Sequence, residues 1–201
     1  LMEMAYRLAV SQDPFIEEIR ENVITLIIPV LEIDGWNRQV DWYYRHTKKV
    51  EEWEDIPRSS PPFWGKYTAH DNNRDGDFLN LTESKYAAQV MYREWLPQAY
   101  IDHHHMGSYG ARFYIPPYCD PIRPYADPLI WREHSWYGAH IAYKLEENGK
   151  KGILNAAQFP GWGHFGWHWI PPFHNIAGML TESASAKTAT PLYIHPEQLQ
   201  A

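Results

Sequence analysis

Two short runs of unbroken apolar residues constrain this chain more than anything else in it. Val23-Ile24-Thr25-Leu26-Ile27-Ile28 and Ile176-Ala177-Gly178-Met179-Leu180-Thr181 show almost no alternation of polar and apolar positions. Such runs read as strands covered on both faces, the kind found where helices pack on either side of a sheet. Helical spacing surrounds them. Leu1, Met4, Ala5, Leu8 and Ala9 recur on one helix face. Asp13-Pro14 reads as the cap and first residue of a second helix, with Glu17 and Glu18 in its first turn. Thr82 caps a third, whose face is Tyr86, Val90 and Met91 and whose end is followed by Pro97. A fourth runs from about Leu129 to Glu147 and stops at Asn148-Gly149. Helices alternating with apolar strands predict an α/β fold, with a mixed, mostly parallel twisted sheet flanked by helices.

Between these elements, Asp34-Gly35 reads as a turn, and residues 36–72 as irregular with a break at Pro57 to Pro62. Ala99 to Asp102 is a short strand. Residues 106–128 hold five prolines and two glycines and form a long surface loop, a kind of segment that usually carries function. A loop rich in Trp and Pro covers 159–173. Its aromatics, like those of 36–44, fit a core better than a sugar platform.

Composition excludes several function classes. A net charge of -7 offers no footprint for a phosphate backbone, so nucleic acid is not an expected partner. No stretch reaches the ~18 apolar residues of a membrane span. The single cysteine, Cys119, excludes an internal disulfide and a cysteine-based zinc cluster. It suits the cytoplasm, and equally a periplasmic or secreted protein that avoids cysteine. The 201 residues are the size of one domain or most of one. They open at Leu1 inside a helical pattern with no signal-peptide features, which reads as an excerpt of a longer chain.

Polar residues at strand ends mark the ligand crevice of an α/β sheet, and two such ends stand out. His103-His104-His105 follows the short strand, where a rigid backbone holds an imidazole at the ~2.0–2.1 Å that zinc requires. A plain hydrogen-bonded histidine cluster is the competing reading. Glu182 ends the late apolar run, placed either to take a proton from an activated water or to serve as a helix cap or ion-pair partner. Asn73-Arg74 is either a carboxylate clamp, in which the guanidinium fork meets both oxygens, or a polar turn. Arg45, after Trp42-Tyr43-Tyr44, is either an oxyanion stabiliser or an exposed arginine. Gly161 to Gly166 matches a dinucleotide-binding glycine pattern, but Trp167 to Pro172 does not open the helix that pattern needs.

The order of these features is more specific than any one of them. A Pro-to-Asp-Gly turn (Pro29 to Gly35) is followed by Tyr44-Arg45, Asn73-Arg74, an Asp-x-His at Asp102 to His104, and Thr181-Glu182. That series resembles the zinc metallocarboxypeptidases of the carboxypeptidase A family. The large bacterial members are the most similar: they share an Asp-His-His segment, a loop ending in Pro-Pro (Phe113 to Pro117), a Gly-Lys-x-Gly turn (Gly149 to Gly152) and a His-Asn before the last strand (His174-Asn175). The resemblance covers about residues 1–185.

It implies that the chain is the central and C-terminal part of one such catalytic domain, incomplete at its N-terminus. His104 is implied as the third ligand of a Zn2+ cofactor, with His103 as the fallback and two further ligands in a His-x-x-Glu motif upstream of Leu1. Glu182 is implied as general base and acid, Arg45 as the group polarising the scissile carbonyl, and Asn73 with Arg74 as the clamp on a substrate's free carboxylate. The expected activity is hydrolysis of a C-terminal peptide bond in a peptide or acyl-amino-acid substrate, by a periplasmic or secreted enzyme. Two alternatives share the resemblance: a zinc-dependent deacylase or amidase, and an inactive relative that binds a peptide or glycan. The chain departs from the family at Glu32-Ile33, where Asn-Pro is usual, and in lacking a substrate-capping tyrosine between Phe159 and Trp169.

Overall fold

A computed structural model describes residues 1–48, 50–52, 55, 61, 63–163 and 166–185. Most of the Pro57 to Pro62 break, and the centre of the Gly161 to Gly166 loop, lie outside them.

The two N-terminal helices follow from local chemistry. Helix α1 spans Met2–Val10 and α2 spans Pro14–Asn22. The Asp13 carboxylate accepts from the Phe15 amide at 2.9 Å, and proline takes the first helical position, where its missing N–H costs nothing. Arg20 ties the pair together by donating to the Leu8 carbonyl at 3.0 Å.

Two expectations about the next segment are corrected. Residues 23–28 form no strand. They have no regular secondary structure, and Ile24 is 75% exposed. An apolar run demands cover without specifying what provides it, and no described strand pairs with this one. Nor is Asp34-Gly35 a turn followed by irregular chain: helix α3 spans Ile33–Thr47. The Glu32 carboxylate caps it by accepting from the Gly35 amide at 2.8 Å. Asp34 lies in the first turn, where the helix dipole favours an anion. Glycine is required at 35 because a Cβ there would stand 1.9 Å from the Trp64 carbonyl oxygen. Trp36 and Tyr44 on this helix are exposed, so this aromatic cluster is not core.

Helix α4 spans Thr82–Gln89 and runs on into a π-helical turn, Val90–Glu94. Thr82 is its first residue rather than its cap, and no side chain of the cap residue Leu81 serves the terminus. A distant carboxylate does so instead. Asp75, fully buried, accepts from the Asn80 amide at 3.0 Å, the Leu81 amide at 2.8 Å and the His70 ring at 2.8 Å.

Strands β1 (Ala99–Met106), β2 (Phe113–Tyr114), β3 (Ile153–Leu154) and β4 (Ala177–Ala184) form one sheet in the order β1-β4-β2-β3. The sheet is mixed rather than mostly parallel as expected: β1 and β4 are parallel, as are β2 and β3, but β4 and β2 at the centre are antiparallel. The chain between β1 and β2, residues 107–112, is too short for a crossover that returns a parallel strand, so β2 runs back. The long connection from β2 to β3 contains helix α5 (Pro128–Glu147) and does return parallel. Asp127 caps α5, and Gly149 just beyond its end takes the left-handed conformation at φ 71°. Strand β4 is buried along Ala177 to Glu182, as its lack of alternation predicts. On the sheet face that carries Leu180, Tyr114 and Tyr118 form a core with Trp131 of α5 and Phe159. A second core joins Ala87, Ala88 and Met91 to Trp167 of the Trp-rich loop. Burying a large side chain of these cores such as Met91 or Leu180 contributes about 1.5–3 kcal/mol.

Candidate functional site

The parallel register of β1 and β4 sets His104 opposite Glu182 and His103 opposite Thr181. Directly opposed residues share a sheet face, and successive residues alternate faces. Asp102, His104 and Glu182 therefore converge on one side, near the carboxyl ends of both strands. His103 belongs to the other side, where its Nδ1 meets the Thr181 hydroxyl at 2.6 Å.

On the first side the three groups form a line. His104 Nε2 lies 2.8 Å from Asp102 Oδ2, and Nδ1 lies 3.8 Å from Glu182 Oε1. Asp102 accepts the Nε2 proton, which leaves the Nδ1 lone pair turned toward Glu182. Glu182 is only 5% exposed, and its Oε2 has no hydrogen-bond partner. At 3.8 Å the ring nitrogen and the carboxylate are too far apart for a hydrogen bond. A buried carboxylate that faces the lone pair of a half-buried imidazole is stabilised by a positive charge between them, either a proton or a metal cation.

The proton affinities reflect this frustration. Burial pushes the Glu182 carboxyl above its usual range, the His104 charge opposes that, and the Asp102 charge adds to it. At His104 burial disfavours the imidazolium, yet the Asp102 hydrogen bond and the charges of Asp102 and Glu182 outweigh it and raise the ring's basicity. Burial lowers the basicity of His103.

Asn73 and Arg74 form a 3-10 turn, Asn72–Arg74, fixed from both sides. The Asp71 carboxylate caps it through the Asn73 amide at 2.9 Å, and Trp167 Nε1 donates to the Asn72 carbonyl at 3.0 Å. Arg74 is exposed, and it is near enough that its charge disfavours protonation of both His104 and His168. The Asn73 Oδ1 is buried without a partner. The structure thus brings His104 and Glu182 together, and the Asn73-Arg74 turn is linked to them through the reach of the Arg74 charge to His104. Arg45 is not joined to it: it is exposed on the last turn of α3, and no hydrogen bond or ion pair links it to His104 or Glu182.

Sequence reasoning missed three buried groups around this site. His134 of α5 and His168 of the Trp-rich loop flank the Tyr118 phenol, whose ring centre is 5.6 Å from that of His134 and 5.3 Å from that of His168, and the charge of Arg123 of the Pro-rich loop reaches both histidines. The Tyr118 hydroxyl is held by the backbone N–H and C=O of Leu180. Their only sequence signal is position: each lies in a loop or on a helix flanking the strand-end residues.

Among the described residues, no three His, Cys, Asp or Glu side chains are grouped to hold a metal ion. The donor chemistry here fits one imidazole ligand facing a carboxylate base, and any further ligands would come from outside the described residues. No helix among the described residues is long and apolar enough to cross a membrane. No family model matches the chain, and no curated protein or solved structure matches it either.

Proposed function

We propose that this chain carries part of the active site of a zinc-dependent hydrolase that removes a C-terminal residue from a peptide or acyl-amino acid, on a carboxypeptidase-like sheet. The observation that carries the reading is the Asp102–His104–Glu182 line, in which a ring nitrogen with a free lone pair faces Oε1 of a buried carboxylate whose other oxygen, Oε2, has no hydrogen-bond partner. His104 would hold the metal through Nδ1, with Asp102 fixing its tautomer and orientation. Zinc, when bound, supplies Lewis acidity.

The chain's own residues account for the rest. Glu182, whose affinity for a proton is raised by burial, takes a proton from the attacking water and delivers it to the leaving amine. Asn73 and Arg74 bind the terminal carboxylate and so fix the scissile bond against Glu182. The proposed role of Arg45, exposed on the last turn of α3, is to steady the developing oxyanion.

The test uses full-length protein, loaded with zinc or treated with chelator, on one peptide with a free or an amidated C-terminus. Release of the terminal residue is expected from the free peptide alone, and only with zinc. Unchanged cleavage after chelation, or equal cleavage of the amidated peptide, would sink the reading.

A further inference from the structure

Arg123 is 1% exposed, within the turn Pro121-Ile122-Arg123-Pro124. Its Nη2 donates to the Gly163 carbonyl at 3.0 Å, and its guanidinium carbon sits 4.1 Å from the centre of the Phe173 ring. Nε and Nη1 have no acceptor. Burial pulls its pKa down to about 10, and the neighbouring group that opposes this is the phenol of Tyr92, not a carboxylate. The Tyr92 hydroxyl is itself buried and unpartnered.

The two histidines near this cation are equally unsatisfied. His168 and His134 each leave both ring nitrogens without a hydrogen bond of normal geometry, although the Gly178 carbonyl is near His134. His168 feels the charges of His104 and Arg74 as well as those of Arg123 and His134, so this cluster adjoins the Glu182 site. Among the described residues, what faces Arg123 is neutral: the Gly163 carbonyl, the Phe173 ring, the Tyr92 phenol and the buried imidazole of His168. A buried cation without an anion is costly in a native protein, and water can satisfy its N–H groups without neutralising its charge.

We propose that Arg123, with Tyr92 and His168 beside it, receives a second carboxylate of the ligand, so that the substrate is a peptide or acyl-amino acid ending in glutamate or aspartate. The α-carboxylate then lies on Asn73 and Arg74 at the rim, and the side-chain carboxylate on Arg123 behind them. The proposal deepens the hydrolase reading and rests on it for the role of the first carboxylate. Arg123 is a specificity-determining residue here and has no part in moving protons.

Binding tests it without activity. Full-length protein is melted with glutarate, with its monoamide glutaramate, and with inorganic phosphate. Glutarate is expected to raise the melting temperature most. Arg123→Met should abolish that rise while leaving the unliganded protein at least as stable, since it removes a buried uncompensated charge. Arg123→Lys should weaken glutarate binding ~10- to 100-fold by losing the planar fork. If the methionine variant fails to fold, the lysine variant and the ligand comparison carry the test. In turnover, kcat/KM for a terminal Glu should exceed that for Gln by ~10-fold or more, falling toward unity in Arg123→Met. Equal binding of glutarate and glutaramate overturns the proposal, as does glutarate binding that survives Arg123→Met. A phosphate shift as large as glutarate's would also do so, reducing Arg123 to a general oxyanion site. Arg123-dependent glutarate binding with no peptide cleaved would keep this inference and sink the hydrolase; cleavage indifferent to Glu or Gln would do the reverse.

Discussion

At the scale of single residues, the decisive contact is the 3.8 Å between His104 Nδ1 and Glu182 Oε1. Glu182→Gln keeps the shape of the side chain and removes its capacity to accept a proton. In the proposed mechanism turnover should fall by at least ~100-fold, the usual contribution of a general base, while zinc content stays unchanged. Near-normal turnover would remove Glu182 from the chemistry. Arg74→Ala should weaken only substrates with a free carboxylate, raising KM for these and leaving amidated ligands untouched. Equal losses on both would make Arg74 a structural residue.

Among elements, α4 shows most clearly how a helix depends on a distant residue. Asp75 supplies the cap that Leu81 lacks, and the same buried carboxylate bonds the His70 ring, so the Asn73-Arg74 turn and the helix start are fastened together. Burial tends to raise the Asp75 pKa, but hydrogen bonds from the Leu81 amide, the His70 ring and the Asn80 amide bring it from 3.8 down to about 2. A carboxyl depressed on folding stabilises the native state above its unfolded pKa, and that contribution is lost as pH falls through the folded one. Asp75→Asn should therefore cost about 2 kcal/mol at pH 7 and progressively less between pH 4 and 2, read from urea midpoints across that range. A penalty independent of pH would mean that the carboxylate's charge is not what holds the turn. This cap was not legible in the sequence. The nearby Thr82 looked like one, and only the fold brings residue 75 against residues 80 and 81.

For the whole molecule, the packing of α5 and the burial of two imidazoles shape the surroundings of the site. Helix α5 lies so close to the Pro116-Pro117 loop that a Cβ at Gly138 would stand 1.9 Å from the Pro116 carbonyl oxygen. Gly138→Ala should push the helix from the sheet and cost more than about 2 kcal/mol in thermal or denaturant unfolding. A neutral substitution would show that this contact yields easily. The buried imidazoles His134 and His168 add a global pH dependence. Burial holds both neutral, with pKa values of about 4 and about 3 against 6.5 for the free side chain. A histidine depressed on folding stabilises the native state above its unfolded pKa, and that contribution drains away as pH falls from 6.5 toward the folded value. For His134 alone this is on the order of 3 kcal/mol. The denaturation midpoint should accordingly drop between pH 6.5 and 4, and a flat profile there would argue that neither ring is buried.

Much of the fold was written locally. Asp13-Pro14 opens α2, Asn148-Gly149 closes α5, and the unalternating run at 176–181 becomes a strand covered on both faces, because caps, turns and periodicity act within a few residues. The equally apolar run at 23–28 forms no strand, and the aromatic-rich α3 was not recognised as a helix, because pairing partners and helix packing are set by remote chain. Composition and order alone give the residues that carry imidazole, carboxylate and guanidinium and set two of them near strand ends, although the strands run on past both, to Met106 and Ala184. Only the tertiary structure decided that the register of β1 on β4 turns His104, rather than His103, toward Glu182. A shift of one residue along a strand reverses the face of every side chain, and register is a property of two strands together rather than of either alone.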